Sequence, residues 1–471
     1  MKISVAQGDG IGPEIMGSVL KIFEAARVPL TYEHVPMGKQ VVLAGERTGI
    51  SPEARASVET TGLLFKGPME TPKGGGYKSV NVTARKMWGT FANKRVYRSL
   101  PGVPTALGRP LSLTMVRENI EDTYGAIEHM QTHDVAQCRR LITRPGCEQV
   151  HRYTFEMAAR KGARRVTCGH KANIMKQTDG LFLETFYAVA KDYPHIEADD
   201  VIVDALAMHL VTRPEQFDVI VLPNLQGDIL TDLAAGLVGG LAYAPSANIG
   251  DEICIFEAVH GTAPDIVGRD LANPTALLLS GTMMLRHLGL SNHADLIEEG
   301  LEAILEQLHA RPDLSEPPPV FSTDRFTRLM VKFLEAKPAP EGVATAPERL
   351  PRREPVMRVS AGPDHTALRG LDVFLESALP PKVVAEHLMG LHSTLELKMI
   401  SNRGTQVWPS GSVFTDCINH YRVRFESDGA VDQRALLDVL GACADRFTLC
   451  GCEWLRELDG KRGYSLAQGQ G

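Results

Sequence analysis

The chain has 471 residues, of which 44% are hydrophobic and 23% charged, and its formal net charge is −7. This balance is typical of a folded enzyme, and it excludes a largely disordered chain or a generic nucleic-acid binder. No apolar run approaches the roughly 20 residues that cross a bilayer, so no membrane association is expected.

A strand pattern begins at Lys2, which leaves no room for a signal peptide. We therefore expect a cytoplasmic protein, or a protein of the mitochondrial matrix if a transit peptide has been removed. The eight cysteines include no Cys-x-x-Cys pair and no histidine at zinc spacing, so reduced thiols are expected.

The first elements predict an α/β unit. Residues 2–7 alternate like a strand, and a glycine-rich turn leads to a helix over residues 14–26, with Pro13 suited to the first helical position. The turn resembles a dinucleotide fingerprint, but its third glycine comes four residues after the first instead of five. A Rossmann domain is therefore not predicted. Later strand and helix patterns alternate, with strands at 165–168, 201–203 and 219–222 and helices at 149–161 and 180–192.

The composition changes after Leu334. Residues 336–362 are polar and rich in proline, which indicates an exposed linker. The remaining residues, 363–471, predict the order βαββαβ of a small ferredoxin-like α+β domain. Its strands are predicted at 372–377, 395–401, 421–426 and 447–456, and its helices at 382–391 and 432–443.

Two acidic residues in the first part are candidates for a metal site. Asp228 and Asp232 are four residues apart, so a helix beginning near Gly227 would turn both carboxylates to one face. Two hard oxygen ligands of this kind suit Mg²⁺ or Mn²⁺. An isolated pair of acidic residues usually only faces water, so the assignment depends on the residues nearby.

Those residues favour an anion site. A glycine-rich segment leads into a helix whose start carries Ser79 and Asn81, and a helix N-terminus attracts anions. Arg85, Arg95 and Arg117 add planar groups suited to carboxylates. Surface arginines are the alternative, and the glycine segment and the acidic pair count against it.

Six segments together resemble the isocitrate dehydrogenases of the β-decarboxylating dehydrogenase family. The segments are KGPMETP (66–72), SVNVTAR (79–85), RENIEDTY (117–124), HKANIMK (170–176), NLQGDILTD (224–232) and HGTAP (260–264). The resemblance covers residues 1–335 and implies a fold that is not Rossmann. It implies a large domain of residues 1–92 and 244–335, a small domain of residues 93–243, and a cleft between them. The added C-terminal domain looks like that of thermophile-type isocitrate dehydrogenases.

The resemblance also implies roles for individual residues. Asp228 and Asp232 of one subunit and Asp204 of another would bind the metal, so a homodimer, or a larger assembly through the C-terminal domain, is expected. Lys171, contributed across the dimer, would act in removing the proton of the substrate hydroxyl, and Tyr124 would return a proton to the carbon left by decarboxylation. The residues implied in nucleotide binding are Thr71, Asn173, Glu257, His260, Gly261, Asp265, Ile266 and Asn273.

Substrate and nucleotide are the finer expectations. Ser79 and Asn81 could bond a third carboxylate, which favours isocitrate over 3-isopropylmalate, while homoisocitrate is harder to separate. Asp265 and Ile266 stand where NADP-using relatives carry Lys-Tyr, so NAD is expected, because a carboxylate would repel the 2′-phosphate. A noncatalytic regulatory subunit is the alternative of another class, and the complete set of acid, base and metal residues counts against it.

Overall fold

The computed structural model describes residues 1–71, 77–309, 321–340, 362–410 and 415–466. Residues 72–76 of the glycine-rich segment and residues 341–361, most of the predicted linker, lie outside this part. The chain folds as two compact units. The first comprises Met1–Tyr124, Ile142–Asn173 and Leu181–Val356, and the second comprises Gly125–Leu141, Ile174–Gly180 and Met357–Gly471. The division between large and small domains near residues 92 and 243 stays a prediction.

Residues 1–309 supply twelve strands in the described part of the chain. They are β1 (Lys2–Ala6), β2 (Thr31–His34), β3 (Leu63–Lys66), β4 (Ala92–Arg98), β5 (Ser112–Glu118), β6 (Asp122–Thr132), β7 (Val135–Leu141), β8 (Arg165–His170), β9 (Glu197–Ile202), β10 (Val219–Leu222), β11 (Pro245–Ile249) and β12 (Cys254–Ala258). β6 and β7 form a two-stranded sheet, and the other ten form one mixed sheet in the order β2-β1-β3-β12-β11-β4-β5-β10-β8-β9.

The mixed sheet changes direction at its centre. At one side of the sheet, the neighbours β2, β1, β3 and β12 pair in parallel, and at the other side β5, β10, β8 and β9 do so. Between them, β11 pairs antiparallel with both β12 and β4, and β4 pairs antiparallel with β5. The inner parallel strands β3 and β10 are apolar and buried along their whole length, whereas the edge strands β2 and β9 are more polar and partly exposed. The strand predicted at 219–222 is confirmed as β10. The strand predicted at 201–203 instead ends at Ile202, because Val203 begins a helix.

Helices cover the mixed sheet. They are α1 (Gly12–Ala25), α2 (Lys39–Leu43), α3 (Pro52–Thr61), α4 (Val80–Met87), α5 (Arg144–Lys161), α6 (Thr178–Ala190), α7 (Val203–Thr212), α8 (Asn224–Leu237), α9 (Thr275–His287), α10 (Ser291–His309) and α11 (Thr323–Glu335). None of the described helices is long and apolar enough to cross a membrane.

α11 illustrates how the sequence specifies one of these helices. The hydroxyl of Ser322 accepts the backbone N–H of Arg325 at 3.0 Å and caps the first turn. Phe326, Met330 and Leu334 recur every four residues and are all buried in the core that α11 shares with α1, α9 and α10. The sequence therefore fixes both the start and the buried face of the helix.

The C-terminal residues confirm the predicted α+β order. The elements are β13 (Thr366–Glu376), α12 (Pro381–Leu388), β14 (Glu396–Asn402), β15 (Thr405–Trp408), β16 (His420–Val431), α13 (Gln433–Ala444), β17 (Thr448–Leu458) and β18 (Lys461–Arg462). They form an antiparallel sheet in the order β15-β14-β16-β13-β17-β18, which is the predicted βαββαβ sandwich with a short strand added at each edge.

The β6–β7 hairpin belongs to this second unit. The hydroxyl of Thr132 donates to Asn419 Oδ1 at 3.1 Å, and Arg139 forms an ion pair with Glu453 at 3.1 Å. Gln177, from the short segment Ile174–Gly180, donates to the backbone carbonyl of Arg462 at 3.3 Å. Residues from three distant parts of the chain thus form one compact body.

Two glycines of α1 provide a matched test of packing. A Cβ at Gly12 would lie 2.2 Å from the backbone oxygen of Gln7, whereas a Cβ at Gly17 would meet nothing within 4 Å. Gly12→Ala should lower the free energy of unfolding by about 1–3 kcal/mol through overpacking. Gly17→Ala should raise it by about 0.5–1 kcal/mol through helix propensity. Urea denaturation of both variants measures the difference, and equal stabilities would contradict the close approach at Gly12.

Candidate active site

Asp228 lies at the centre of a group of charged side chains. It is on α8, which begins at Asn224, three residues before the predicted start. Arg117 Nη1 bonds Asp228 Oδ1, Arg95 Nη2 lies 3.5 Å from the same oxygen, and the hydroxyl of Tyr124 donates to Oδ2. Arg95 Nη1 also lies 3.1 Å from Asp232 Oδ1. The structure therefore brings five of the sequence-predicted site residues together.

Three further residues orient the arginines, and no role was predicted for any of them from the sequence. Asn224 Oδ1 accepts from Arg117 Nε at 2.9 Å and from Nη2 at 2.7 Å. Arg95 donates to Thr231 at 2.6 Å and to Asn93 at 2.7 Å. Asn224 and Thr231 lie in the same motif as Asp228, and Asn93 shares a strand face with Arg95 because it is two residues away. These spacings were the sequence features from which the three residues could have been predicted.

The surroundings shift the pKa values of Asp228 and Asp232 in opposite directions. Burial by itself would raise the pKa of Asp228, but Arg117, the Tyr124 hydroxyl and Arg95 outweigh it, and its pKa lies below the ordinary value. Burial raises the pKa of Asp232 above its ordinary value, although Arg95 opposes this. Asp228 is therefore the more firmly ionised member of the pair.

A cavity of about 350 Å³ lies beside this group. The sequence-predicted residues that line it are Thr71, Asn81, Arg85, Arg95, Glu257, His260 and Gly261. Three buried polar atoms of its lining have no hydrogen-bond partner among the described residues, namely Arg85 Nε, Asn81 Oδ1 and His260 Nε2. Buried polar groups are normally satisfied. Unpaired groups on the wall of a cavity indicate a polar ligand.

Ser79 caps α4 beside this cavity wall, as the sequence predicted for a helix start. Its oxygen accepts the N–H of Val82 at 3.4 Å and the hydroxyl of Thr71 at 3.1 Å. Because Ser79 acts as an acceptor in both bonds, its own proton remains available as a donor.

Glu257 lines the cavity and also forms a buried ion pair with Lys66. Lys66 Nζ contacts Glu257 Oε2, and the two side chains are only 1% and 6% exposed. Arg85 Nη2 and Asn248 Nδ2 donate to Glu257 Oε1 at 3.1 and 2.7 Å. Burial would raise the pKa of Glu257, but Lys66 and Arg85 hold it well below the ordinary value. No role was predicted for Lys66 from the sequence, although a lysine at the end of the apolar strand β3 was a signal for a buried partner.

Lys171 and Asp204 form a separate pair. Lys171 Nζ contacts Asp204 Oδ1, and the side chain of Asp204 is 68% exposed. Neither residue, nor the exposed Asn173, is among those that line the cavity. Their contribution to the site of a second subunit stays a prediction.

The described residues contain no group of three or more His, Cys, Asp or Glu side chains placed to hold a metal ion. Asp228 and Asp232 nevertheless supply two hard oxygen ligands, and their shared contact with Arg95 places them on one face of α8. Mg²⁺ is commonly held by one or two carboxylates with water and substrate oxygens completing its shell. The pair fits Mg²⁺ or Mn²⁺ on these terms.

The remaining nucleotide-binding candidates follow the cavity wall along the chain. Asp265 and Ile266 lie in a 3₁₀ turn, and the side chain of Asp265 is exposed. Arg269 Nη1 donates to the backbone oxygen of Asp265 at 3.3 Å. Asn273 Oδ1 accepts the N–H of Thr275 at 3.0 Å at the start of α9. These three predicted residues are not among those that line the cavity.

An open α/β sheet with a cavity of arginines and an acidic pair is typical of metal-assisted enzymes that act on carboxylate substrates. Residues 2–330 match the family described as isocitrate/isopropylmalate dehydrogenase, and residues 366–470 match the one described as bacterial isocitrate dehydrogenase, C-terminal domain. The chain belongs to the isocitrate/isopropylmalate dehydrogenase family.

Individual relatives agree with this assignment. An isocitrate dehydrogenase (NADP) of Thermus thermophilus is 44% identical over 475 residues, covering 99% of this chain and 96% of the relative. One of Rickettsia bellii with the same name is 39% identical over 479 residues, covering 99% of both. A mitochondrial isocitrate dehydrogenase (NAD) subunit 2 of Schizosaccharomyces pombe is 45% identical over 313 residues, covering 66% of this chain and 81% of the relative.

A crystal structure of the TT0538 protein from Thermus thermophilus superposes with a TM-score of 0.90 at 44% identity. It covers 100% of this chain and 96% of that one. Both the fold of residues 1–335 and the presence of the added C-terminal domain are therefore confirmed.

The expectation of NAD was wrong. Three relatives that each match along 99% of the chain are named for NADP, whereas a subunit named for NAD matches 66% of it. The expectation was that the carboxylate of Asp265 would repel the 2′-phosphate of NADP. The side chain is exposed, so water screens its charge and repulsion of a phosphate is weak.

Replacing the two members of the buried ion pair between Lys66 and Glu257 should have unequal effects on stability. Glu257→Gln should lower the free energy of unfolding by about 3–5 kcal/mol, because it leaves Lys66 charged and buried without its partner. Lys66→Met should cost less, because Arg85 and Asn248 still contact the carboxylate. Urea denaturation measures both, and Glu59→Gln, which breaks the surface pair with Arg55, should cost less than about 1 kcal/mol. A larger loss for Lys66→Met than for Glu257→Gln would contradict the assignment.

Proposed function

We propose that this protein is a cytoplasmic, NADP-dependent isocitrate dehydrogenase that converts isocitrate and NADP⁺ to 2-oxoglutarate, CO₂ and NADPH. The observation that supports the proposal most strongly is the cavity in which Arg85, Asn81 and Arg95 meet, next to Asp228 and Asp232. A substrate with several carboxylates requires such a set of cations and donors beside a cation site.

Arg85 and Asn81 are the groups best suited to the substrate. Arg85 Nε has no partner among the described residues, and Asn81 is a half-buried amide on the cavity wall. An amide can present its NH₂ group to a carboxylate, and the hydroxyl of Ser79 has a proton to donate nearby. An analogue with an alkyl group at this position would leave these polar groups unpaired, which favours isocitrate.

Asp228 and Asp232 are the residues that would hold Mg²⁺ or Mn²⁺. When bound, the ion would withdraw charge from the 2-hydroxyl and carboxylate oxygens of the substrate and so ease loss of the hydroxyl proton and of CO₂. Arg117 and Arg95 keep Asp228 ionised for this role.

Tyr124 and Lys171 are the proposed proton-transfer groups. Burial raises the pKa of Tyr124, and the carboxylate of Asp228 adds to this effect against the opposing Arg117. Tyr124 therefore keeps its proton near neutral pH and can deliver it to the substrate carbon that CO₂ leaves. Lys171 takes part in removing the proton of the 2-hydroxyl.

A homodimer would supply the second half of each site. Four apolar side chains of α7 and α8 are exposed, namely Met208, Val211, Leu225 and Ile229. α7 also carries Asp204, and α8 also carries Asp228 and Asp232. Exposed apolar faces commonly mark interfaces. A second copy on this face would bring a third carboxylate and Lys171 towards the acidic pair.

Turnover by the purified full-length protein tests the proposal directly. Initial rates are measured with isocitrate, homoisocitrate and 3-isopropylmalate, each with NADP⁺ and NAD⁺, in the presence of Mg²⁺ or Mn²⁺ and after chelation. We expect the highest kcat/KM for isocitrate with NADP⁺, and loss of activity on chelation. Preference for another substrate, or undiminished turnover without a divalent cation, would overturn the proposal.

Two single substitutions test the shared site. Tyr124→Phe and Lys171→Met should each lower kcat by about 10²- to 10⁴-fold, because each removes a proton-transfer group. Mixing the two variants under conditions of subunit exchange should restore activity, because each heterodimer then contains one intact site. Rates before and after exchange are compared. Absence of recovery despite proven exchange would show that Tyr124 and Lys171 act in the same subunit.

A further inference from the structure

We propose that His170 is a positioning residue that holds the backbone of Lys171 in place for proton transfer. The inference rests on the proposed function, because it requires Lys171 to be the group that acts on the substrate. His170 is the last residue of β8 and is buried, whereas the chain leaves the sheet immediately after it. Lys171 is therefore the first residue of a turn and needs some other support than the strand ladder.

A hydrogen bond from Ala172, two residues after His170, supplies that support. The backbone N–H of Ala172 donates to Nδ1 of His170 at 3.0 Å. The bond closes a short ring around Lys171, so the peptide groups on both sides of this residue are fixed to one imidazole. The direction in which the side chain of Lys171 leaves the backbone is thereby restricted.

The same bond fixes the position of the proton on the imidazole ring. A backbone N–H can only donate, so Nδ1 must accept and the proton must lie on Nε2. Nε2 lies 2.9 Å from Asp200 Oδ2, and the other oxygen of this carboxylate accepts the hydroxyl of Tyr187. Tyr187 and Asp200 thus hold His170, and His170 holds the turn. This is the arrangement by which a carboxylate commonly orients a functional imidazole.

Strand β9 and helix α7 carry the acidic residues that hold His170 and Lys171. Asp200 lies on β9, which pairs in parallel with β8, in register with Cys168. Asp204, the partner of Lys171 Nζ, follows four residues later on α7. The backbone and the amine of Lys171 are therefore held by two acidic residues of one short stretch, one through His170 and the other directly.

Two substitutions separate the bonds of the imidazole. His170→Asn keeps an oxygen near the position of Nδ1, which can still accept from Ala172, but it loses the bond to Asp200. His170→Gln reaches the position of Nε2 and can still donate to Asp200, but it leaves the N–H of Ala172 without its acceptor. His195→Gln, at an exposed histidine of the loop before β9, serves as the matched control.

The first measurement is steady-state turnover of isocitrate by the full-length variants. His170→Gln should lower kcat by about 10- to 100-fold, because a misplaced reacting group costs this much, with KM for isocitrate and NADP⁺ nearly unchanged. His170→Asn should retain most of the turnover, and His195→Gln should match the unaltered protein. In the Lys171→Met background, His170→Gln should cause no further loss. A further loss of the same factor, or equal losses in the Asn and Gln variants, would overturn the proposal.

The second measurement does not depend on activity. Hydrogen–deuterium exchange at the Ala172 amide should be at least about 10-fold faster in His170→Gln than in the unaltered protein, because the bond is absent, and it should stay slow in His170→Asn. Unchanged exchange in His170→Gln would overturn the positioning role. If the unaltered protein fails to turn over isocitrate, the proposed function fails, while the exchange experiment still decides whether His170 holds the turn.

Discussion

The interactions of Asp228 are the constraint on which the site depends. Its carboxylate joins α8 to β4, β5 and β6 through Arg95, Arg117 and Tyr124. The side chain of Asp228 is 38% exposed, and these partners offset the cost of holding its charge partly away from water. Arg117, the Tyr124 hydroxyl and Arg95 keep the pKa of Asp228 low and its carboxylate ionised, while burial and Asp228 raise the pKa of Tyr124 and keep its hydroxyl protonated. Under the proposed function, Asp228 would hold a divalent cation together with Asp232, and the arginines that contact it keep its carboxylate in the ionised form that this role needs.

Much of the fold and of the site could be predicted from local sequence. β10 and α11 have strong apolar patterns, and the C-terminal βαββαβ order was apparent from alternating strands and helices. The predicted site residues Arg95, Arg117, Tyr124, Asp228 and Asp232 also converge. The antiparallel pair β4 and β11 at the centre of the sheet could not be predicted, because strand direction depends on partners that are distant in sequence.

The polar groups that support the site were harder to predict for a related reason. The pairing of Lys66 with Glu257, and that of His170 with Asp200, joins residues far apart in the chain. In each pair, the residues adjacent in sequence to one partner do not specify the other partner. Asp265 illustrates a different error, since repulsion of a phosphate was inferred from the charge of the residue without knowledge of its exposure. The exposure of a side chain is set by the fold, and the charge alone does not decide nucleotide choice.

The second compact unit has a consequence for how the chain is made. Its hairpin, Gly125–Leu141, leaves the ribosome more than two hundred residues before β13 to β18, with which it forms one body. At about 5–20 residues per second, the hairpin waits for roughly 10 seconds or more before its partners exist. Two strands alone are marginally stable in water. Synthesis of this protein therefore includes an interval in which a finished segment has no folded partner and is open to chaperones, proteases and other copies of the chain.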